Sequence, residues 1–441
     1  MKKELYEDFF KGKKVTVMGL GLLGRGVGDS RFLALHCGEV IVTDKKTREQ
    51  LSSSVKELEE FDNIIYHLGE HKMEDFENRD FIIKAAGVPF DSEYLLHAKK
   101  HGVPVYMTAA KVVSICMGRL PDVTVIGVTG TRGKSTVTQL ISHILKENGI
   151  SVKLGGNIRG VANLPLLDEV EDGDYLVLEL DSWQLQGFRD MNISPHISVF
   201  TSFMDDHMNY YKNDKEAYFN DKAAIYRNQE KHDVLIVSPQ AQDEILKRDK
   251  RQAMIVASKR VVPMNMIGEH NQMSAGLAYE AALQCGLTDE EIDTAIATFK
   301  PVDGRLEDLG LFRGVRVFND NNATTGDAVV AGIKAIEEAF DKSPLVITGG
   351  ADKGLPKEEY EIYLESHTQE VIYLSGTGTD TISLPKKYLF ETLEECIEKA
   401  FTLAKEGDII LFSPGFASFS KYFNNEYERN DLFIKELKKY I

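Results

Sequence analysis

The sequence has few of the features that mark secreted, nucleic-acid-binding or membrane-spanning proteins. Its 441 residues include one tryptophan and four cysteines, and acidic residues outnumber basic ones by 69 to 52, for a net charge of −17. The cysteines form no CxxC pair and no zinc-type spacing, which argues against a disulfide framework or a zinc finger. We expect reduced core cysteines at Cys37, Cys116, Cys285 and Cys396.

The negative charge and the absence of long apolar runs argue against two kinds of partner, nucleic acids and membranes. A surface of this charge repels a phosphate backbone, so we expect no nucleic-acid partner. No stretch reaches about 18 uninterrupted apolar residues, and the first residues lack the apolar segment of a signal peptide. We therefore expect a cytoplasmic protein without membrane insertion. We also expect a monomer.

Repeated strand, glycine-turn and helix patterns are what the sequence does contain. Apolar, β-branched runs alternate with helical patterns, which is typical of α/β folds with parallel sheets. The length favours two or three domains. We predict an α/β fold of three domains: a Rossmann-like domain at 1–116, a P-loop-type ATP-binding domain at 117–300, and a second Rossmann-like domain at 301–441.

A phosphate-binding turn is the strongest single motif. Gly130 to Thr136 reads GTRGKST and lies between the strand pattern Val123 to Val128 and a helical pattern that begins at Lys134. There, backbone N–H groups and the helix dipole can hold phosphate oxygens. Lys134 would reach the β- and γ-phosphates, and the Ser135 hydroxyl would bind Mg²⁺. The motif is a variant, because valine stands at position 128 instead of the usual glycine.

A second glycine turn, Gly19 to Gly24, follows the first strand pattern and matches GxGxxG. Asp44 ends the next strand pattern, at the distance expected for an acid that binds a ribose. Two interpretations stay open: a nicotinamide-dependent oxidoreductase, or a site for the pyrophosphate of a UDP-sugar. The phosphate turn downstream favours the second, because an oxidoreductase leaves that turn unexplained.

Further candidate ligands follow two later strand patterns. Glu179 comes directly after Tyr175 to Leu178, and His207 lies shortly after the pattern His196 to Phe200. Ligands of open α/β sheets gather at the carboxyl ends of the strands. A lysine, a hydroxyl, a carboxylate and a histidine at such an edge predict a Mg-ATP site.

Motifs along nearly the whole chain resemble those of the Mur ligase family. They are GTxGKS at Gly130 to Ser135, GNI at Gly156 to Ile158, ExxSxQL at Glu179 to Leu185, Asp206-His207, GEHN at Gly268 to Asn271, Gly304-Arg305, Asn319-Asp320, GGADKG at Gly349 to Gly354 and SPGFASF at Ser413 to Phe419. The ELxSxQL and SPxxASF runs are most similar to those of members that add glutamate to a UDP-linked muramoyl-alanine. The resemblance implies an ATP-dependent amide ligase of peptidoglycan precursor synthesis, which works through an acyl phosphate.

The resemblance also assigns roles to individual residues. Those expected at ATP are Gly130, Thr131, Gly133, Lys134, Ser135, Thr136, Asn271, Arg305 and Asp320. Those expected at Mg²⁺ are Ser135, Glu179, His207 and Lys222, the last as a carbamylated lysine. Those expected at the UDP-linked substrate or at glutamate are Gly21, Leu22, Leu23, Asp44, Gly87, Asn157, Gln184, Lys353 and Ser418. The catalytic group comprises Lys134, Asn157, Glu179, His207 and Lys222.

Some positions depart from the family pattern. Asn321-Asn322-Ala323-Thr324 stands where such members usually read SKAT, so a lysine that contacts glutamate is missing. Asp181 replaces a serine, and Ala85-Ala86-Gly87 replaces SPG. These departures leave the added amino acid open between D-glutamate, L-glutamate and another. The alternatives are another Mur or folylpolyglutamate-type ligase, and a nucleotide-binding protein without catalysis.

Overall fold

The computed structural model describes residues 6–22, 24–250, 253–418, 423 and 425–441. Its strands form three sheets, and the α/β class is confirmed. The chain divides into two compact units, Met1–Ser258 with Gly276–Ala295 and Lys259–Ala275 with Ile296–Ile441. The first two sheets lie in the first unit and the third in the second. The three domain bounds stay predictions.

The first sheet has five parallel strands. They are β1 (Lys14–Met18), β2 (Glu39–Asp44), β3 (Ile64–Leu68), β4 (Phe81–Lys84) and β5 (Val105–Tyr106). The helices are α1 (Glu7–Phe10), α2 (Arg25–His36), α3 (Ser52–Lys56), α4 (Glu93–Lys100) and α5 (Thr108–Arg119), with a 3-10 helix at Met73–Phe76. The order β3-β2-β1-β4-β5 puts β1 at the centre, so the turn that follows it lies in the middle of the carboxyl edge.

The second sheet has six parallel strands in the order β11-β10-β9-β6-β8-β7. They are β6 (Thr124–Thr129), β7 (Val152–Gly156), β8 (Tyr175–Glu179), β9 (Ile197–Phe200), β10 (Val234–Val237) and β11 (Ile255–Val256). The accompanying helices are α6 (Lys134–Glu147), α7 (Leu166–Glu169), α8 (Ser182–Met191), α9 (Lys215–Arg227), α10 (Pro239–Leu246), α11 (Glu269–Gln284) and α12 (Asp289–Thr298). Since β6 pairs with both β8 and β9, the ends of these three strands adjoin.

The third sheet has six strands in the order β12-β13-β17-β14-β15-β16. They are β12 (Glu307–Phe312), β13 (Val315–Asn319), β14 (Leu345–Thr348), β15 (Glu370–Leu374), β16 (Leu389–Phe390) and β17 (Ile409–Phe412). The helices are α13 (Gly326–Phe340), α14 (Glu358–Ser366), α15 (Thr377–Asp380), α16 (Leu393–Leu403) and α17 (Glu426–Leu437), with a 3-10 helix at Lys438–Tyr440. The pair β12–β13 is antiparallel, contrary to the parallel sheet expected.

The cores of the sheets are formed by the apolar runs that predicted the strands. Val125, Ile126 and Val128 of β6 are fully buried, and each stabilises the fold by about 1.5–3 kcal/mol. All four cysteines are free thiols; three are buried and Cys285 is partly exposed. Among the described residues, no helix has the length and apolar character needed to cross a membrane.

Candidate functional site

The phosphate turn joins the central strand of the second sheet to a long helix. β6 ends at Thr129 and α6 begins at Lys134. Gly130 has φ +147°, and a Cβ there would lie 2.0 Å from Thr201 Oγ1, so only glycine fits. Gly133 caps α6 with a left-handed φ of +83°. The turn therefore lies at the positive end of a 14-residue helix, a geometry that holds anions.

Two lysine side chains converge on the carbonyl groups of this turn. Lys134 Nζ donates to Gly130 O and Thr131 O at 3.1 and 3.2 Å, and Lys222 Nζ, from α9, donates to Gly130 O at 2.7 Å. Lys222 is only 2% exposed. Burial, with the Lys134 ammonium beside it, holds the pKa of Lys222 well below its ordinary value, although Asp181 and Asp206 oppose that shift. Lysine nitrogens are thus concentrated at the turn.

Glu179 and Asn157 lie together at the adjoining strand ends. Glu179 is the last residue of β8 and is buried. Gly156, the last residue of β7, is paired with it, and a Cβ at Gly156 would lie 2.0 Å from Glu179 O. Asn157 N donates to the same oxygen at 2.7 Å. The Asn157 side chain accepts a hydrogen bond from Arg25 of α2, so the helix after the first glycine turn contacts this site.

The segment after β9 folds back on the phosphate turn. Arg132 of the turn pairs with Asp206 at 3.1 Å, and Asp206 Oδ1 accepts from His207 N at 2.9 Å. His207 has φ +56°, which is uncommon for a residue with a side chain. Its ring centroid lies 4.9 Å from that of Trp183. These contacts hold a histidine and a carboxylate close to the turn.

Gln184 closes a capping box at the start of α8. Its backbone N donates to Asp181 Oδ1 at 2.7 Å, and its side-chain oxygen accepts from Asp181 N at 3.4 Å. The aspartate that replaces a serine in the ExxSxQL run thus acts as the N-cap. The predicted contact between Gln184 and the substrate stays a prediction.

The backbone of the first glycine turn is hydrogen-bonded to a carboxylate. Asp44, which ends β2 and is buried, accepts from Gly21 N at 3.1 Å and from Lys46 N at 2.9 Å. Each carboxylate oxygen has a further lone pair for a hydroxyl or N–H donor of a ligand. Leu22 is 44% exposed, and Gly87 is exposed in the segment after β4. Leu23 lies outside the described residues.

In the second unit, Asp320 follows β13 and is buried. Its carboxylate accepts from Leu306 N at 3.1 Å and from the Ser413 hydroxyl at 3.0 Å. Burial raises the pKa of Asp320 to about 7, although both hydrogen bonds and the Arg305 guanidinium lower it. These bonds tie the segment before β12 and the end of β17 to one carboxyl group.

Three other predicted residues of the second unit have separate contacts. Lys353 Nζ donates to Thr324 Oγ1 at 3.0 Å. Ser418 is buried beside Ala417, whose backbone pairs with Ala351. Asn271 is buried and donates to Ile267 O at 2.8 Å. The Lys353 contact joins the GGADKG segment to the Asn-Asn-Ala-Thr segment, both of which were expected near glutamate.

Comparison with known proteins identifies the family. Residues 128–273 match the Mur ligase middle domain, and residues 13–107 match the MurD-like N-terminal domain of Mur ligases. Over 97% of its length the chain is 30% identical to UDP-N-acetylmuramoylalanine–D-glutamate ligase of Borreliella afzelii strain PKo, of which 98% is covered. The chain belongs to the Mur ligase family.

Other Mur ligases match over similar lengths. The enzyme of the same name from Roseiflexus sp. strain RS-1 is 30% identical over 96% of this chain and 97% of its own. Among solved structures, UDP-N-acetylmuramate-alanine ligase MurC of Thermotoga maritima superposes with a TM-score of 0.62 at 19% identity, covering 97% of this chain and 99% of that one. The MurF ligase of Thermotoga maritima, solved in complex with ADP, has a TM-score of 0.61 at 16% identity, with 91% and 95% covered. These two structures support the fold.

The Mur ligase assignment separates the two interpretations of the first glycine turn. The matched N-terminal domain contains that turn and Asp44, and the matched middle domain contains the phosphate turn, Glu179 and His207. A nicotinamide-dependent oxidoreductase accounts for neither match. The first turn therefore belongs to a ligase.

Asp221, which the sequence analysis did not single out, supports the position of the helix that carries Lys222. Asp221, next to Lys222, accepts from Gln186 at 2.7 Å and Tyr211 at 3.0 Å and pairs with Arg189, which fixes α9 against α8. Six consecutive residues of α9, Asp221 to Tyr226, are buried, so the sequence of this helix gave no apolar periodicity that would single out Asp221.

Lys84 is a second buried residue that was not predicted from the sequence. It ends β4 at 2% exposure and donates to Val88 O at 2.9 Å, so it holds the segment that contains Gly87. Burial lowers the pKa of Lys84 to about 8. A lysine that ends the apolar run from Phe81 was the available signal.

Proposed function

We propose that this Mur ligase joins D-glutamate to UDP-N-acetylmuramoyl-L-alanine, with conversion of ATP to ADP and phosphate. The observation that supports this most is the similarity, over nearly the whole chain, to UDP-N-acetylmuramoylalanine–D-glutamate ligases. The convergence of two lysines on a helix-capping phosphate turn supports the ATP-dependent step.

The proposed reaction has two steps. A carboxylate oxygen of the muramoyl-alanine attacks the γ-phosphorus of ATP, the bond to the β-phosphate oxygen breaks, and ADP leaves. The glutamate amine then attacks the acyl carbon, loses a proton, and expels phosphate to form the amide. Lys134 and the backbone amides of the turn would hold the β- and γ-phosphates, and Asn157 would face the γ-phosphate and the acceptor.

Magnesium is the proposed metal of this site. Ser135, Glu179 and His207 would hold it, with carbamylated Lys222 as a further contact. Glu179 ends a strand beside the turn, and hydroxyl and carboxylate oxygens suit a hard divalent cation. When bound, the ion supplies positive charge to the phosphate oxygens.

Carbamylation of Lys222 is part of the proposal. A neutral lysine amine attacks CO₂ to give a carbamate and a proton, and the lowered pKa of Lys222 favours that neutral form. The product is an anion beside the phosphate turn, suited to a metal. With ¹³CO₂, we expect a carbamate signal in the NMR spectrum that is absent in Lys222→Ala and retained in Lys215→Ala, on the same helix. A signal that persists in Lys222→Ala contradicts this assignment.

The remaining predicted residues complete the proposal. We assign 1–116 to the UDP-linked substrate, 117–300 to ATP and ligation, and 301–441 to ATP and glutamate. The residues assigned to the UDP-linked substrate are Gly21, Leu22, Leu23, Asp44, Gly87 and Gln184. Those assigned to ATP outside the turn are Asn271, Arg305 and Asp320, and those assigned to glutamate are Lys353 and Ser418.

The decisive experiment measures phosphate release with Mg-ATP and UDP-N-acetylmuramoyl-L-alanine. D-glutamate, L-glutamate, or no amino acid is added, and the product is identified by mass. We expect release that depends on D-glutamate, with a product heavier by one glutamyl residue. Release only with L-glutamate corrects the stereoisomer. Binding of ATP without release in any mixture supports a nucleotide-binding protein without catalysis.

A further inference from the structure

Two histidines and a glutamate cluster on the first sheet's domain, away from the phosphate turn in sequence. His97 lies in the last turn of α4, His101 caps its end, and Glu77 follows the 3-10 helix Met73–Phe76. Glu77 Oε2 lies 3.2 Å from His97 Nε2 and 3.4 Å from His101 Nε2. One ligand atom from each residue thus lies within 4.8 Å of the others.

The two imidazoles are arranged as a chelating pair. Residues four apart on a helix project from the same face, and the ring centroids of His97 and His101 are 4.2 Å apart. The separations of 3.2 and 3.4 Å match those of ligands around a tetrahedral cation with bonds of about 2.1 Å, which lie about 3.4 Å apart. All three side chains are partly exposed, between 25% and 39%, so water can complete the coordination.

The hydrogen bond at Nδ1 of His101 sets the tautomer of its neutral ring. His101 Nδ1 lies 2.9 Å from His97 O. Since a carbonyl oxygen only accepts, Nδ1 must donate, and in the neutral ring Nε2 then carries a lone pair. That lone pair faces a carboxylate oxygen, so a proton or a metal cation is needed between them. A ring N–H donated to a backbone carbonyl is the usual arrangement of a metal-bound histidine.

We propose that Glu77, His97 and His101 bind a divalent cation of the zinc class, separate from the Mg-ATP site. Two imidazoles and one carboxylate are a ligand set for Zn²⁺ or Co²⁺ rather than Mg²⁺, which prefers oxygen ligands. The bound ion joins the end of α4 to the segment after the 3-10 helix. Because the ion binds the folded domain, it raises the thermal stability of that domain.

The test is a Zn²⁺ titration of the purified full-length protein in excess Mg²⁺, with a chromophoric chelator as competitor. The variants are wild type, Glu77→Gln, and His97→Ala/His101→Ala. A matched control is His367→Ala, since the His367 side chain is as exposed as that of His101 and pairs with Glu337 in the second unit. His207→Ala reports zinc bound at the proposed ATP site. Circular dichroism and metal-free melting temperatures confirm that each variant folds.

We expect the double-histidine variant to lose one Zn²⁺ equivalent and Glu77→Gln to bind that equivalent at least about tenfold more weakly. Both controls retain it. Co²⁺ should give visible absorption typical of tetrahedral coordination in wild type and not in the double variant. Equal zinc stoichiometry and affinity in wild type and the double variant, or no zinc bound in excess Mg²⁺, overturns the proposal.

Discussion

The two glycine turns of the first unit share a backbone geometry and differ in charge. In both, the glycine that caps the following helix has a left-handed φ, +79° at Gly24 and +83° at Gly133. At the first turn an amide donates to the Asp44 carboxylate. At the second, a carbonyl accepts from Lys134 and Lys222. The strand, turn and helix therefore do not specify the ligand by themselves. The side chains that neighbouring elements bring to the turn specify it.

The largest effect expected from this difference is at the second turn. Replacing Lys134 by alanine removes a group assigned to the transferring phosphate, so we expect kcat/KM to fall by about 10³-fold. Lys146→Ala, at an exposed position of the same helix, serves as the control. Steady-state phosphate release measures both. A loss of less than about tenfold in Lys134→Ala would show that the turn does not act on ATP.

Alanine at the two turns should differ in its effect on stability. Gly130→Ala adds a Cβ 2.0 Å from Thr201 Oγ1 at a positive φ, so we expect the free energy of unfolding to fall by more than about 3 kcal/mol. Gly21, with φ +67°, has no atom within 4 Å of such a Cβ. Only backbone strain applies there, about 1–2 kcal/mol. Urea unfolding tests this, and equal losses would contradict the geometry.

The helix after the first turn carries a buried acid. Asp29 of α2 accepts from Leu164 N at 2.8 Å, and burial raises the pKa of Asp29 to about 7. Because the folded state binds the proton more tightly than the unfolded chain, whose pKa is about 4, stability falls as pH rises between those values.

Asp29→Asn should remove that pH dependence. Between pH 5 and 7, we expect the wild type to lose about 2 kcal/mol relative to Asp29→Asn. Asp243→Asn, at an exposed position, should keep the wild-type profile. Denaturant unfolding at several pH values is the measurement, and parallel profiles for wild type and Asp29→Asn would refute the assignment.

The smallest effect expected is at the first turn itself. Asp44→Asn weakens the bonds to Gly21 N and Lys46 N, so we expect KM for the UDP-linked substrate to rise by about tenfold. KM for ATP should stay unchanged, because the phosphate turn is untouched. Exposed Asp62→Asn is the matched control. A rise in KM for ATP alone would reverse the assignment of the two turns.

Local sequence patterns predicted much of this fold. The strand patterns Val123 to Val128, Tyr175 to Leu178 and His196 to Phe200 predicted β6, β8 and β9 to within one residue at each end, because short apolar runs in α/β proteins form buried strands. α6 begins at Lys134, as its helical pattern predicted.

Other features depend on contacts that a local pattern does not contain. The antiparallel pair β12–β13 is joined at Arg313 and Gly314, both with positive φ. Only the glycine was a signal for that hairpin. Arg25 and Asn157 are separated by 132 positions, and their hydrogen bond follows from how the first two sheets pack. The family resemblance alone predicted a role for Lys222, as a metal contact, and its bond to Gly130 O was not predicted.

The bonds from α2 to the second sheet's domain also constrain how the chain can be recombined. Arg25 bonds the Asn157 side chain, and Asp29 bonds the backbone of Leu164. A chimera that exchanges the first 116 residues for those of a relative would separate Arg25 and Asp29 from these two bonding partners. Such a graft should work better when residues 157–164 are transferred with it, so the exchangeable segment is discontinuous in sequence.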